Sequence, residues 1–357
     1  MWDAFCAQLA EAKSALSRPD APRDPRSQAE GVRYLSRLTR VALDNIVESG
    51  DPDFPRLFQM SNDTIKIGGD NPDNFYQNAV IAGDRTYRIK GQRNTVPYFS
   101  FGSKANRFAT GEGMSSTGEL EDSAIQFEKD GSFEIIVRKE KPAKGNWLPT
   151  NDDASMLLVR QTFLDKSKEV AADITLECLK GPAMPAPLTP ERIEAQLKRA
   201  AGFVRATANS FADWSKMFMD APNQLLPRDQ TIYQKVGGDP NIHYLWGYWK
   251  LAPDEAWLIE TEVPECRFWN FVLQNYWMES GDYNHIPNAW INPLKGKTEK
   301  DGRLVIVVSD VDPGFGNWID TTGHVTGTAL LRWISAKTHP APNCRVVKKA
   351  DLAKYRP

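Results

Sequence analysis

At 357 residues, with 41% hydrophobic and 25% charged side chains, the chain has ordinary globular composition and enough length for two cores, which argues against disordered and membrane-spanning classes. With 44 Lys and Arg against 46 Asp and Glu, the formal charge is −2, so no electrostatic case exists for nucleic acid or an anionic membrane as partner. Cys6, Cys178, Cys266 and Cys344 are far apart and form no C-x-x-C pair, which argues against a zinc site or a disulfide framework. Met1-Trp2-Asp3-Ala4 lacks the basic start and apolar run of a secretion signal. The longest aliphatic run, Leu304 to Val308, is too short to cross a bilayer, and a cytoplasmic location is expected.

In chain order, residues 1–48 read as two helices. Trp2, Phe5, Leu9 and Leu16 mark the first, Pro19, Pro22 and Pro25 break it, and Val32, Leu35, Leu38, Ala42 and Ile46 mark the second. Arg33, Arg37 and Arg40 flank the second as a solvated or carboxylate-paired face. From about Asn71 the period becomes two. Strands are expected at 87–90, 96–101, 156–159 and 174–178, with a hairpin at Asp130-Gly131 between 125–127 and 133–137. Arg85, Arg88, Lys90 and Arg93 read as a basic strand edge that blocks pairing. Pro182, Pro185 and Pro187 form a stiff linker, and a helix starts at Thr189-Pro190-Glu191 with Thr as N-cap. Its apolar face, Ile193 to Phe211, is expected to pack between the halves or on the N-terminal helices. A second β half follows, with strands at 257–260, 268–274, 304–308 and 328–334 and a turn at Asp301-Gly302.

The two β halves are copies. Asp84, Tyr87 and Ile89 match Asp254, Trp257 and Ile259 at an offset of 170 (254 − 84), and Gly145-Asn146-Trp147 matches Gly316-Asn317-Trp318 at 171 (316 − 145). The expected fold is therefore mainly β with α additions: two tandem antiparallel jelly-roll-like sandwiches from an internal duplication, with N-terminal helices and a long inter-domain helix. The divisions are 1–62 helical, 63–180 first sandwich, 181–227 linker and helix, and 228–357 second sandwich. Residues shared by both copies, such as Asn146 and Asn317 or Arg160 and Arg332, are explained by the common fold, the arginines as strand residues paired with a carboxylate.

Differences between the copies point to function. Pro149 becomes Asp320, Asp153 becomes His324, Ala109 becomes Glu279, Glu112 becomes Asp282 and Ser115 becomes His285. The second half thus gains ionisable groups in two loops, where function concentrates. His285, oriented by Asp282 or Glu279, and His324 with Asp320 are candidate proton carriers. Tyr276, Trp277 and Trp290 would wall a pocket for a cyclic or aromatic molecule, with Asn317 and Arg267 as further binding residues. The dull alternative is that both histidines only cap loops. Asp282, His285, Asp320 and His324 are also metal-ligand types, but their spacing matches no local signature, so no metal or cofactor is expected. His243 reads as a satisfied core histidine, and Cys266 has no nearby base in sequence.

Cys266-Arg267-Phe268-Trp269, Gln274 to Ser280, Asp312-Pro313-Gly314, Asn317 to His324 and Leu330-Leu331-Arg332-Trp333 together resemble the bacterial family known as domain of unknown function 1214. The resemblance is most specific to the last third of the chain. It implies a jelly-roll-like sandwich and no settled activity. The functional expectation is a small-molecule enzyme, a lyase or hydrolase with metal-independent acid–base chemistry, without nucleic-acid or membrane partners and with a possible homo-oligomer. The alternatives are a non-catalytic carbohydrate- or ligand-binding module and a structural subunit with exposed aromatics at its contacts.

Overall fold

The alternating apolar pattern resolves into sixteen strands in four sheets of four, in a computed structural model that describes residues 1–356. The first half holds β1 (Asn74–Val80), β2 (Tyr87–Gln92), β3 (Tyr98–Asn106), β4 (Met114–Glu121), β5 (Ser132–Arg138), β6 (Asn146–Pro149), β7 (Met156–Thr162) and β8 (Asp173–Cys178). The second holds β9 (Ile242–Lys250), β10 (Glu255–Glu262), β11 (Phe268–Leu273), β12 (Trp290–Ile291), β13 (Arg303–Ser309), β14 (Asn317–Asp320), β15 (Thr326–Ile334) and β16 (Asn343–Lys348). The first pair of sheets runs β1-β7-β3-β4 and β6-β5-β2-β8, and the second β9-β15-β11-β12 and β14-β13-β10-β16. Each strand of the first half therefore has its counterpart eight strands later, and the duplication is a duplication of topology.

The repeat extends to side-chain hydrogen bonds. Asn146 accepts from Gln126 N at 2.7 Å and donates to Gln126 O at 3.0 Å and Glu134 O at 2.9 Å. Asn317 does the same with Lys297 N at 2.7 Å, Lys297 O at 2.8 Å and Val305 O at 2.8 Å. The next residues, Trp147 and Trp318, each donate Nε1 to a carbonyl at 2.9 Å. These bonds correct two expectations. The sandwiches are not wholly antiparallel, since β5–β6 and β13–β14 pair in parallel. Residues 125–127 form no strand, because the Asn146 amide occupies the Gln126 backbone groups that a ladder would need. Likewise β2 lies between β5 and β8, so Arg88 is no edge residue but pairs across the sheet with Glu177 at 2.6 Å.

Parity along the inner strands shows how the sandwiches meet. Leu157 and Val159 of β7 enter the first sandwich core with Phe99, Phe101 and Phe133. Ala329, Leu331 and Trp333 of β15 enter the second with Trp249, Trp257 and Trp269. The alternate residues, Met156, Leu158, Leu330 and Ile334, with Tyr244, Trp246 and Tyr248 of β9, join a third core between the sandwiches. Such strands are apolar on both faces, as sheets covered on both sides must be.

Helices complete that third core. Helices α1 (Trp2–Ala10), α2 (Pro25–Ala42), α3 (Pro190–Phe218) and α4 (Gln230–Gln234) all contribute to the helical cover of the β halves. Pro25 starts α2 rather than breaking a helix, and Asp24 caps it by accepting from Ser27 N at 2.9 Å. The apolar stripe of α3, including Leu197, Val204, Ala208 and Phe211, packs against both the N-terminal helices and the sheets. Gly31 lies inside α2 because the helix rests flush on Trp277. A Cβ there would stand 2.6 Å from Trp277 Cζ2.

Asn146→Ala and Asn317→Ala are each expected to lower the unfolding free energy by about 3 kcal/mol, since each leaves several buried backbone groups without a partner. Urea midpoints should fall by matching amounts. A large loss in one copy alone would contradict the equivalence.

Candidate functional site

Helix α2 carries Arg26, Glu30, Arg33 and Arg37 at spacings of four, three and four, one continuous charged stripe. That stripe faces the loops of the second sandwich. Arg37 pairs closely with Glu279, a buried carboxylate, and Arg33 lies 4.0 Å from its other oxygen. Glu279 also takes its own backbone N–H to Asn275 Oδ1 at 3.1 Å. Burial pushes the Glu279 carboxyl up, against the pull of Arg37 and Arg33.

Beside this anchor lies a cavity of about 140 Å³ between α2 and the ends of β11 and β14. His324 borders it, with Nε2 3.0 Å from both oxygens of Glu30. Its Nδ1 lies 3.1 Å from Thr321 O and 3.2 Å from Thr322 Oγ1. The Glu30 carboxylate takes the Nε2–H, while Nδ1 can donate to the Thr321 carbonyl or accept from the Thr322 hydroxyl. Burial opposes the charge of Glu30, but the hydrogen bond and charge of His324, with Arg26, hold its carboxyl below the ordinary value. The loop before His324 is held in an unusual shape. Thr322 has φ of 52°, costly for a β-branched residue, and its N–H is fixed by Asp320 Oδ1 at 2.7 Å. Gln274 Nε2 and Thr321 Oγ1, buried on the cavity wall, have no partner among the described residues.

The structure gathers four of the five sequence-predicted proton-handling residues: His324, Asp320, Glu279 and Asp282 all line this cavity. His285 stands outside it, with its side chain 81% exposed and Nδ1 3.0 Å from Asp282 Oδ2. That contact holds Asp282 below the usual carboxylate range despite a desolvation cost.

The expected aromatic wall is not assembled here. Tyr276 and Trp277 are buried under the N-terminal segment, Tyr276 donating to Asp20 at 2.8 Å and Trp277 to Ser27 O at 2.8 Å. Trp290 lies in a separate cleft of about 520 Å³, donating to Asp73 at 2.9 Å, with Lys295 Nζ 3.0 Å from its ring centre. Partial desolvation pushes the Lys295 ammonium down to about 8, although much of its side chain remains open to solvent. Asn317 has its amide committed to the backbone, and Arg267 joins the halves elsewhere through a two-point pair with Asp122 at 2.7 and 3.1 Å.

Two further expectations change, and one holds. Arg332 makes no ion pair among the described residues, unlike Arg160, which lies 3.5 Å from Asp239. His243 stacks on His339 at 4.2 Å, and its Nε2 has no partner among the described residues. Burial raises the Cys266 thiol, making it a poorer nucleophile. Among the described residues no three His, Cys, Asp or Glu side chains gather as metal ligands would. Among the described residues no helix is long and apolar enough to cross a membrane.

Glu30 and Arg26 were missed by sequence reasoning, and Arg33 was read only as part of a solvated or carboxylate-paired face. Their signal was the helical spacing of the charges, which a solvated face explains equally well until the loop beneath is known.

The sequence profile described as "Protein of unknown function (DUF1214)" matches residues 76–163. The match lies on the first sandwich, not on the last third that carried the resemblance, and the duplication accounts for both. A crystal structure of an uncharacterized protein from Burkholderia cenocepacia is 44% identical, with a TM-score of 0.95, covering 98% of this chain and 97% of that one. The VPA0106 protein from Vibrio parahaemolyticus is 13% identical, with a TM-score of 0.49, covering 96% of this chain and 100% of that one. No curated protein matches.

Because Glu30 titrates below its ordinary value of 4.5 in the folded protein, its contribution is present above that value and is lost as pH falls through the lowered one. Glu30→Gln should therefore destabilise the protein at pH 6, and the gap from the parent should close towards pH 3. Urea midpoints at both pH values check this. A constant gap would contradict the pairing.

Proposed function

The chain belongs to the DUF1214 family, and we propose that the cavity beneath α2 is an acid–base site for a small polar molecule, acting as a lyase or hydrolase without a metal. The observation that supports this most is the His324–Glu30 pair, set at the wall of a cavity that also holds Asp320 and Asp282. In this reading His324 carries the proton to the substrate. Asp320 or Asp282, on the wall of the same cavity, is the acceptor.

Size and chemistry select the substrate. A cavity of about 140 Å³, lined by charges of both signs and with Trp249 on its wall, suits a compact polar molecule better than a flat ring. Glu279 stays out of the chemistry in this reading, because its charge is already matched by Arg37. Its part is to hold α2 over the cavity.

A second reading, a non-catalytic ligand-binding protein, is favoured by one observation. The same His324 and Glu30 neutralise each other, and a site needing only to bind would lose nothing by that.

A turnover screen by proton NMR, using small hydroxy acids, lactones and carboxylate esters, tests the catalytic reading. One class should be consumed. His324→Gln should slow it by about 10²–10⁴-fold at a temperature where the variant stays folded, as expected for loss of a general acid. Consumption of no compound would favour the binding protein, and equal rates for the variant would remove His324 from the chemistry.

A further inference from the structure

A second cavity, of about 150 Å³, lies where the outer faces of β1-β7 and β9-β15 oppose each other under α3. Both halves contribute the same parts to it. Gly68-Gly69-Asp70 precedes β1 and Gly237-Gly238-Asp239 precedes β9, a repeat at an offset of 169 (237 − 68). Arg160 and Arg332 occupy equivalent places on β7 and β15, each facing the loop that belongs to the other half.

The copies differ in how they handle the charge. Asp239 turns its carboxylate to Arg160 at 3.5 Å and to Ser100 Oγ at 3.1 Å. Its counterpart Asp70 gives both oxygens to Ser280, at 3.0 Å from N and 2.7 Å from Oγ. Arg332 is left with Gly69 O at 2.5 Å and Asn270 Oδ1 at 3.2 Å, a buried guanidinium with neutral partners only. Burial works against the charge of Arg160, yet Asp239 outweighs it and keeps that guanidinium above its ordinary value. Burial draws Arg332 below it. A buried guanidinium with no carboxylate in contact, and only Asp70 and Asp73 acting at longer range, is costly for a fold to retain.

Two more groups on the same wall lack partners. Tyr233 and Trp246 are buried, and neither the Tyr233 hydroxyl nor the Trp246 indole N–H has an acceptor or donor among the described residues. Phe211 and Trp214 of α3 supply apolar surface. An apolar cavity of about this volume admits a benzene-sized ring.

We infer that this inter-sandwich cavity binds a small single-ring carboxylate, with Arg332 as the counter-ion and the Tyr233 hydroxyl and Trp246 N–H meeting a polar substituent on the ring. The site is distinct from the His324 cavity, and its failure would leave that reading in place.

Calorimetric titration of the full chain with benzoate, 4-hydroxybenzoate and benzyl alcohol tests the inference. The two carboxylates should bind, and the uncharged alcohol should bind at least about tenfold more weakly. Arg332→Met should weaken both carboxylates at least about tenfold, as loss of a buried charge partner does. Tyr233→Phe should weaken 4-hydroxybenzoate more than benzoate. Val236→Phe, which fills the cavity from its half-buried rim without touching the arginine, should abolish binding with the melt retained. Absence of carboxylate binding to the parent, or unchanged affinity in Val236→Phe, overturns the inference even if Arg332→Met fails to fold.

Discussion

The exchange of arginines between the two halves is the constraint on which the rest of the molecule depends. Arg160 reaches from the first sandwich to the glycine loop of the second, and Arg332 reaches back to the glycine loop of the first. Each loop can accept the approach only because its backbone is left-handed where it turns. Gly69 has φ of 75°, and a Cβ on it would stand 2.2 Å from Trp246. Two sandwiches tied in this crossed way must present their outer sheet faces to each other. The apolar residues of alternate parity on β7, β9 and β15 then have a common core to fill.

That arrangement explains why the candidate sites sit at seams. A sandwich interior is closed by its own side chains, and here both interiors are dense with aromatic residues. The seams are where a duplicated fold meets parts that were not duplicated: α2 on one side, α3 on the other. Tyr34, Leu38 and Val41 seat α2 in the core, and charge fixes it over the loop. Arg37 meets a buried Glu279, and Lys66, equally buried, donates to Ser280 O at 2.9 Å and Ser280 Oγ at 3.0 Å. Ser280 in turn holds Asp70. The residues of the 275–282 loop are thus fixed from two directions, which is the condition for keeping His324, Asp320 and Glu30 in one arrangement.

Much of the architecture was legible in the residues. The duplication, the long helix with its Thr189 cap and Pro190, and most inner strands follow from spacing and turn chemistry. The misreadings have physical causes. Residues 125–127 look like a strand because their pattern alternates, yet the side chain of Asn146 takes their hydrogen bonds. Strand β2 looks like an edge because it is basic, yet Arg88 is neutralised by a cross-strand glutamate. At the site, the test that compared the copies selected His324, Asp320, Glu279 and Asp282, which do meet. It also selected His285, which is exposed. A comparison between copies finds what changed and cannot see what a third element adds. Glu30 lies roughly 300 residues from its partner and belongs to no repeat, so neither periodicity nor offset points to it. The Gly-Gly-Asp pair was visible at an offset of 169 but is too short to stand out from chance.

Hydrogen exchange followed by mass spectrometry across a guanidinium series tests the crossed attachment most directly. If the halves are clasped through Arg160 and Arg332, peptides from β7 and from β15 should lose protection at the same denaturant concentration, in one transition with α3. Loss of protection throughout β1–β8 at a concentration where β9–β16 stay protected would show two independent sandwiches, and would contradict the account.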